Sequence, residues 1–228
     1  MPDPGTPPQL WQLPMAFVSD GFRVGLFSDS AALAAQLRRA GIRSVALEID
    51  ELTLDQARAF DRAGLDVVLW GVGSAGDHRG TIAALRGVAD GYLLQIEDDA
   101  EYSAAVAKLE AGVGAGLPRA VVTTFEGANT GRNGQPLYPE RMQRLKDDGV
   151  TTAFVECYKR DGHADLSTMK WQSQIYGWPR FVPVIGLYAG ARLSDYPQLA
   201  AFGQEWSFWR TEQIDPADWK VLEGRASR

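Results

Sequence analysis

From about residue 15 onward, short runs of β-branched and aromatic residues alternate with amphipathic stretches of about ten to fifteen residues. That alternation is the signature of repeated βα units laid around a parallel sheet. Strands are expected near Ala16–Ser19 (or Arg23–Phe27), Ser44–Ile49, Asp66–Val72, Tyr92–Glu97, Ala120–Phe125, Ala153–Tyr158, Phe181–Tyr188 and Trp206–Trp209. The segments between them carry helix punctuation. Thr53 with Gln56 reads as a capping box, Gly64 as the stop of the same helix, and Pro139 and Gly149 as the start and end of another.

Eight βα pairs suit either an open doubly wound sheet or a closed barrel. The even spacing, and the lack of a strongly glycine-rich turn after the first strand, favour closure. The expected fold is α/β, a single (β/α)8 TIM barrel over residues 15–228, preceded by a Pro-rich arm at 1–14. The length agrees, since such a barrel takes roughly 200–250 residues and the chain has 228.

A net charge of -6 and a pI near 5.0 argue against nucleic acid, whose backbone needs clustered Lys and Arg. A lone Cys157 excludes an internal disulfide and a Cys-based zinc site, and His78 and His163 stand far apart, so no metal or cofactor is expected. No apolar run approaches the roughly 18 residues of a membrane span, and the first residues carry no secretion signal. A soluble protein, cytoplasmic or virion-associated, is the expectation. Pro2, Pro4, Pro7 and Pro8 suggest an extended arm that could tether assembly partners.

Alternate residues of a barrel strand face inward, so parity sorts the acids. With Val45, Leu47 and Ile49 toward the helices, Ala46, Glu48 and Asp50 fall on the inner face. Leu93, Gln95 and Glu97 form one set on the fourth strand, and Val122, Thr124 and Glu126 follow on the fifth. On the sixth, Phe154, Glu156 and Tyr158 point inward while Cys157 points outward and should be inert. Four strands would then bring a carboxylate to one end, where such barrels place their chemistry. Converging acids raise the pKa of at least one of them, which is how a general acid stays protonated. Asp50, Asp98 and Asp99 read more simply as caps or loop acids.

Trp70, Tyr158, Tyr188 and Trp209 close the third, sixth, seventh and eighth strands. Each could be core; as a set beside carboxylates they suit the apolar faces and hydroxyls of a sugar ring. Less specific features are the glycine-rich Gly71–Gly76, read as a mobile βα loop rather than a phosphate cradle, and the polar segment 127–134, read as a lid or docking surface. His78 and His163 read as solvated loop histidines.

The run Asp90-Gly91-Tyr92-Leu93-Leu94-Gln95-Ile96-Glu97 resembles the DGxDxDxE signature of family 18 glycoside hydrolases, chitinase-like barrels. The Asp-Gly opening and final Glu match, while the two middle acids are replaced by Leu93 and Gln95. Tyr158 and Trp209 are similar to that family's pocket tyrosine and tryptophan. The same strand end, with Trp206-Ser207-Phe208-Trp209, resembles family 25 lysozyme-like barrels, again without the Asp. The resemblance implies a carbohydrate or cell-wall glycan as partner. Glu97 would be the general acid, Glu156 or Glu48 the second carboxylate, and Gln95, Glu126, Tyr158, Tyr188, Trp70 and Trp209 the substrate contacts. Because Gln95 cannot carry the missing charge, the alternative is a catalytically inactive barrel, a structural or host-glycan-binding part of a phage tail or similar assembly.

Overall fold

In the computed structural model, which describes residues 11–18, 29–97, 99–124, 139–158, 180–203 and 205–226, eight parallel strands close in sequence order into a barrel. They are β1 (Met15–Val18), β2 (Ser44–Glu48), β3 (Asp66–Val72), β4 (Ala89–Gln95), β5 (Arg119–Thr124), β6 (Val150–Cys157), β7 (Arg180–Gly186) and β8 (Ser207–Trp209), with β8 pairing back onto β1. The fold is the expected (β/α)8 barrel. The described helices are α1 (Ser30–Arg39), α2 (Leu54–Arg62), α3 (Arg79–Ala84), α4 (Asp99–Glu110), α5 (Pro139–Asp147) and α6 (Pro216–Ala226). Between β7 and β8 the described residues form 3-10 turns at Leu193–Asp195 and Pro197–Phe202, and Pro197 keeps the two from joining into one helix. None of the described helices is long and apolar enough to cross a membrane.

The punctuation acts as its residue types dictate. Thr53 Oγ1 accepts from Gln56 N at 3.2 Å, and Gln56 Oε1 accepts from Thr53 N at 2.7 Å, so two N–H groups at the start of α2 are satisfied reciprocally. Gly64 ends that helix at φ +74°. Thr53→Ala should cost about 1 kcal/mol, read as a lowered urea midpoint with an unchanged slope.

Buried side chains fall into two clusters, as strand parity requires. Val45, Leu47, Leu69, Leu94, Val155 and Cys157 pack outward beneath the helices. Met15, Phe17, Ala46, Val68, Leu93, Val122, Phe154 and Val184 fill the barrel. The amino-terminal end of the barrel is plugged by Trp11, only 2% exposed, whose ring lies 6.0 Å from that of Phe154 and whose Nε1 donates to Asp90 O at 3.0 Å.

Trp11 explains the start of β4. A Cβ on Gly91 would sit 2.3 Å from the Trp11 ring, so glycine is required there. Asp90 occupies an irregularity in the pairing of β3 with β4, where Val67 faces Ala89 but Val68 faces Gly91. Its carboxylate accepts from Val67 N at 2.8 Å, replacing a bond the ladder does not make. Partial desolvation of the carboxyl, in a residue otherwise exposed, raises Asp90 above its ordinary range. The Asp-Gly pair that carries the glycosidase resemblance thus has a structural task at the end opposite to the mouth.

Candidate active site at the carboxyl end of the barrel

Glu48, Gln95 and Glu156 extend the inward sets that contain Ala46, Leu93 and Phe154, so they line the carboxyl end of the barrel. They differ in depth. Glu156 is 6% exposed, whereas Glu97 lies past the end of β4 and is exposed. The Gln95 amide donates to Glu97 Oε1, and Glu97 N donates to Glu101 Oε2 at 2.6 Å. Among the described residues the buried acid of the mouth is therefore Glu156, which follows Phe154 on the inner face of β6.

Tyr158, the next inward residue, is buried and hydrogen-bonded to Glu156. Desolvation first, and then the adjoining Glu156 carboxylate, hold its phenol well above the ordinary value, so it remains a donor. Its ring stacks on Trp209 at 5.4 Å and 21°, while Tyr188 stands edge-on to both at 5.6 and 5.1 Å. Gly186 makes this cluster fit, because a Cβ there would lie 2.6 Å from the Tyr188 ring. Arg210 lies over the same indole, its Cζ 4.5 Å from the Trp209 ring centroid. Trp70 is deeper, 6% exposed and 6.0 Å from Phe17 inside the barrel. The indole N–H groups of Trp70 and Trp209 are enclosed and have no acceptor among the described residues.

Other expected residues fall elsewhere. Asp50 does not join the inner face; it turns toward the helix layer and meets His78. His78 is not a solvated loop histidine but is 2% exposed. The turn after Gly71 is fastened, with Lys108 Nζ on the carbonyls of Val72 and Ala75. Glu126, Asp98, His163 and the segment 127–134 lie outside the described residues. Among the described residues no group of three or more His, Cys, Asp or Glu could hold a metal ion.

The barrel is similar to that of a putative phosphonomutase. That Burkholderia cenocepacia protein is 15% identical, with 96% of this chain and 95% of that chain covered and a TM-score of 0.55. Orotidine 5'-monophosphate decarboxylase from Methanocaldococcus jannaschii is 7% identical, covered at 96% and 99%, TM-score 0.51. A Faecalibacterium prausnitzii β-glucuronidase is 9% identical at TM-score 0.60, with 95% of this chain matched to 49% of that chain. No protein-family model and no curated protein matches the sequence.

These likenesses establish the barrel and correct the functional expectation. A mutase, a decarboxylase and a glucuronidase share the architecture at 15% identity or less, so it carries no glycosidase assignment. Neither family 18 nor family 25 is matched, and the Asp90-Gly91 pair that carries the family 18 resemblance serves the opposite end of the barrel. Glycan hydrolysis or binding with Glu97 as acid is therefore withdrawn, together with the phage-tail alternative and the carbohydrate and assembly partners. Sequence reasoning placed Glu156 on the correct face but could not rank its depth, and it missed Arg210 and the burial of His78. The inward Gly186, flanked by two aromatic strand ends, was the available signal for a crowded mouth.

Proposed function

We propose that this barrel is an enzyme of lyase or isomerase type that moves a proton on a small polar molecule bound at its carboxyl end. The observation that carries the reading is Glu156, a carboxylate 6% exposed above an apolar barrel interior and hydrogen-bonded to a phenol that stays protonated. Burying a carboxylate in such surroundings costs several kcal/mol unless it is fully compensated, and such groups concentrate at sites of proton transfer. Glu156 would take the proton from a carbon beside a carbonyl and return it. Tyr158 would orient that carboxylate, and the indole N–H groups of Trp70 and Trp209 would meet the substrate oxygen on which charge develops.

Charge narrows the substrate. Among the described residues the mouth sets Glu48, Glu97 and Glu156 against Arg210, which favours a neutral or cationic carbon acid over a phosphate ester.

The test is solvent exchange. The protein is incubated in D2O with ketones, aldehydes, amino ketones and 2-oxo acids, and loss of the α-proton is followed by NMR. Deuterium should enter at least one class, faster for neutral or cationic members, and Glu156→Gln should slow it. Equal rates with wild type and variant, or no exchange in any class, would defeat the proposal.

A further inference from the structure

The turn that follows β3 is pinned by a buried histidine with a partner on each ring nitrogen. His78 Nδ1 lies 2.7 Å from the Tyr92 hydroxyl on the outer face of β4, and Nε2 lies 3.2 Å from Asp50 Oδ2 in the turn after β2. The ring stands edge-on to Tyr92 at 5.8 Å, and Gly71 leaves it room, since a Cβ there would lie 2.8 Å from His78 Cε1. An ionised carboxylate can only accept, so Nε2 carries the imidazole proton and donates a hydrogen bond to Asp50 Oδ2. Nδ1 therefore accepts from the Tyr92 O–H. In this neutral tautomer each donor meets an acceptor.

We infer that His78 is an acid-released latch, fastening the turn of residues 73–78 to β2 and β4 when neutral and letting it go when protonated. A proton on Nδ1 removes the acceptor of the Tyr92 hydroxyl, whose oxygen can then accept from Nδ1–H only by turning its own hydrogen away from any partner. Tyr92 is fully buried, with its phenol held above the ordinary range by desolvation, and it has no other acceptor in the described structure. The cost of that conflict is relieved by opening the turn.

The charged groups around the ring pull in both directions. Burial and the Lys108 ammonium from α4 disfavour the imidazolium, while Asp50 and the turn's own Asp77, which is paired with Arg79 at 3.0 Å, favour it. Burial prevails, and His78 sits below its usual value. A histidine whose folded pKa lies below the unfolded one, about 6.5, holds its contribution above that pH and loses it as the pH falls toward the folded value. Opening would reach the mouth, because Gly73 N donates to Gln95 O at 2.9 Å and the Gln95 side chain holds Glu97.

Hydrogen exchange of the full chain, corrected for intrinsic rates, tests the latch between pH 7.5 and 5. Amides of residues 73–78 should lose protection by up to about tenfold per pH unit below pH ~6.5, with those of α1 unchanged. In His78→Gln that dependence should vanish, and in Asp50→Asn its midpoint should move to lower pH. Protection that is flat with pH in the wild type, or an unaltered loss in His78→Gln, would overturn the inference. Should His78→Gln not fold, the wild-type imidazole is titrated by NMR. A midpoint below 6.5, with protection lost between about pH 6.5 and that midpoint, supports the latch, and an ordinary midpoint or a loss outside that window defeats it.

Discussion

Glu156→Gln is expected to lower α-proton exchange by about 10²–10⁴-fold and to leave the melting temperature unchanged or raised. The two effects separate because they have different origins. Glutamine keeps the shape of the side chain and a carbonyl oxygen to accept from Tyr158, but it cannot take a proton from carbon. For stability the change removes a charge from a position 6% exposed, where desolvation costs several kcal/mol that the contacts of the carboxylate must offset. For a domain of this size about 1 kcal/mol moves the melting temperature by roughly 2–4 °C. A scan of wild type and variant, beside the exchange rates, decides the matter. A marked fall in melting temperature with exchange intact would make Glu156 a structural residue.

Trp11→Ala should reduce stability by about 3–5 kcal/mol, the usual cost of removing a large buried aromatic side chain. The indole is 2% exposed, packs on Phe154 and donates to Asp90 O, so its loss opens the amino-terminal end of the barrel and leaves that carbonyl without its donor. Urea unfolding should show a lower midpoint with a similar slope. Gly91→Ala in the wild-type background should cost about 1–3 kcal/mol, because the added methyl meets the indole. In Trp11→Ala the same change should cost much less, and that non-additivity assigns the Gly91 requirement to Trp11. Additive losses would instead place the need for glycine in the backbone of β4.

Much of this architecture was legible locally. The register of βα units, the capping box at Thr53, the stops at Gly64 and Gly149, and the inward parity of Glu48, Gln95 and Glu156 all depend on residues close in sequence. The motif at 90–97 misled because matching letters carry no information about which end of a strand they serve. Asp90 and Glu97 belong to one signature by letter, yet one repairs a pairing irregularity near the plug and the other extends past β4 into solvent. His78 likewise follows a run of glycines and reads as solvated until β2 and β4 are set beside it.

By itself, then, the sequence determined the barrel of eight strands and the inward parity of Glu48, Gln95 and Glu156, since periodicity is short-range physics. Only the tertiary structure decided which carboxylate is buried, that Trp11 fills the barrel floor, and that Asp50, His78 and Tyr92 form one hydrogen-bonded set. Depth and partnership arise when distant strands close into a ring, and no local pattern records how far a given side chain then stands from water.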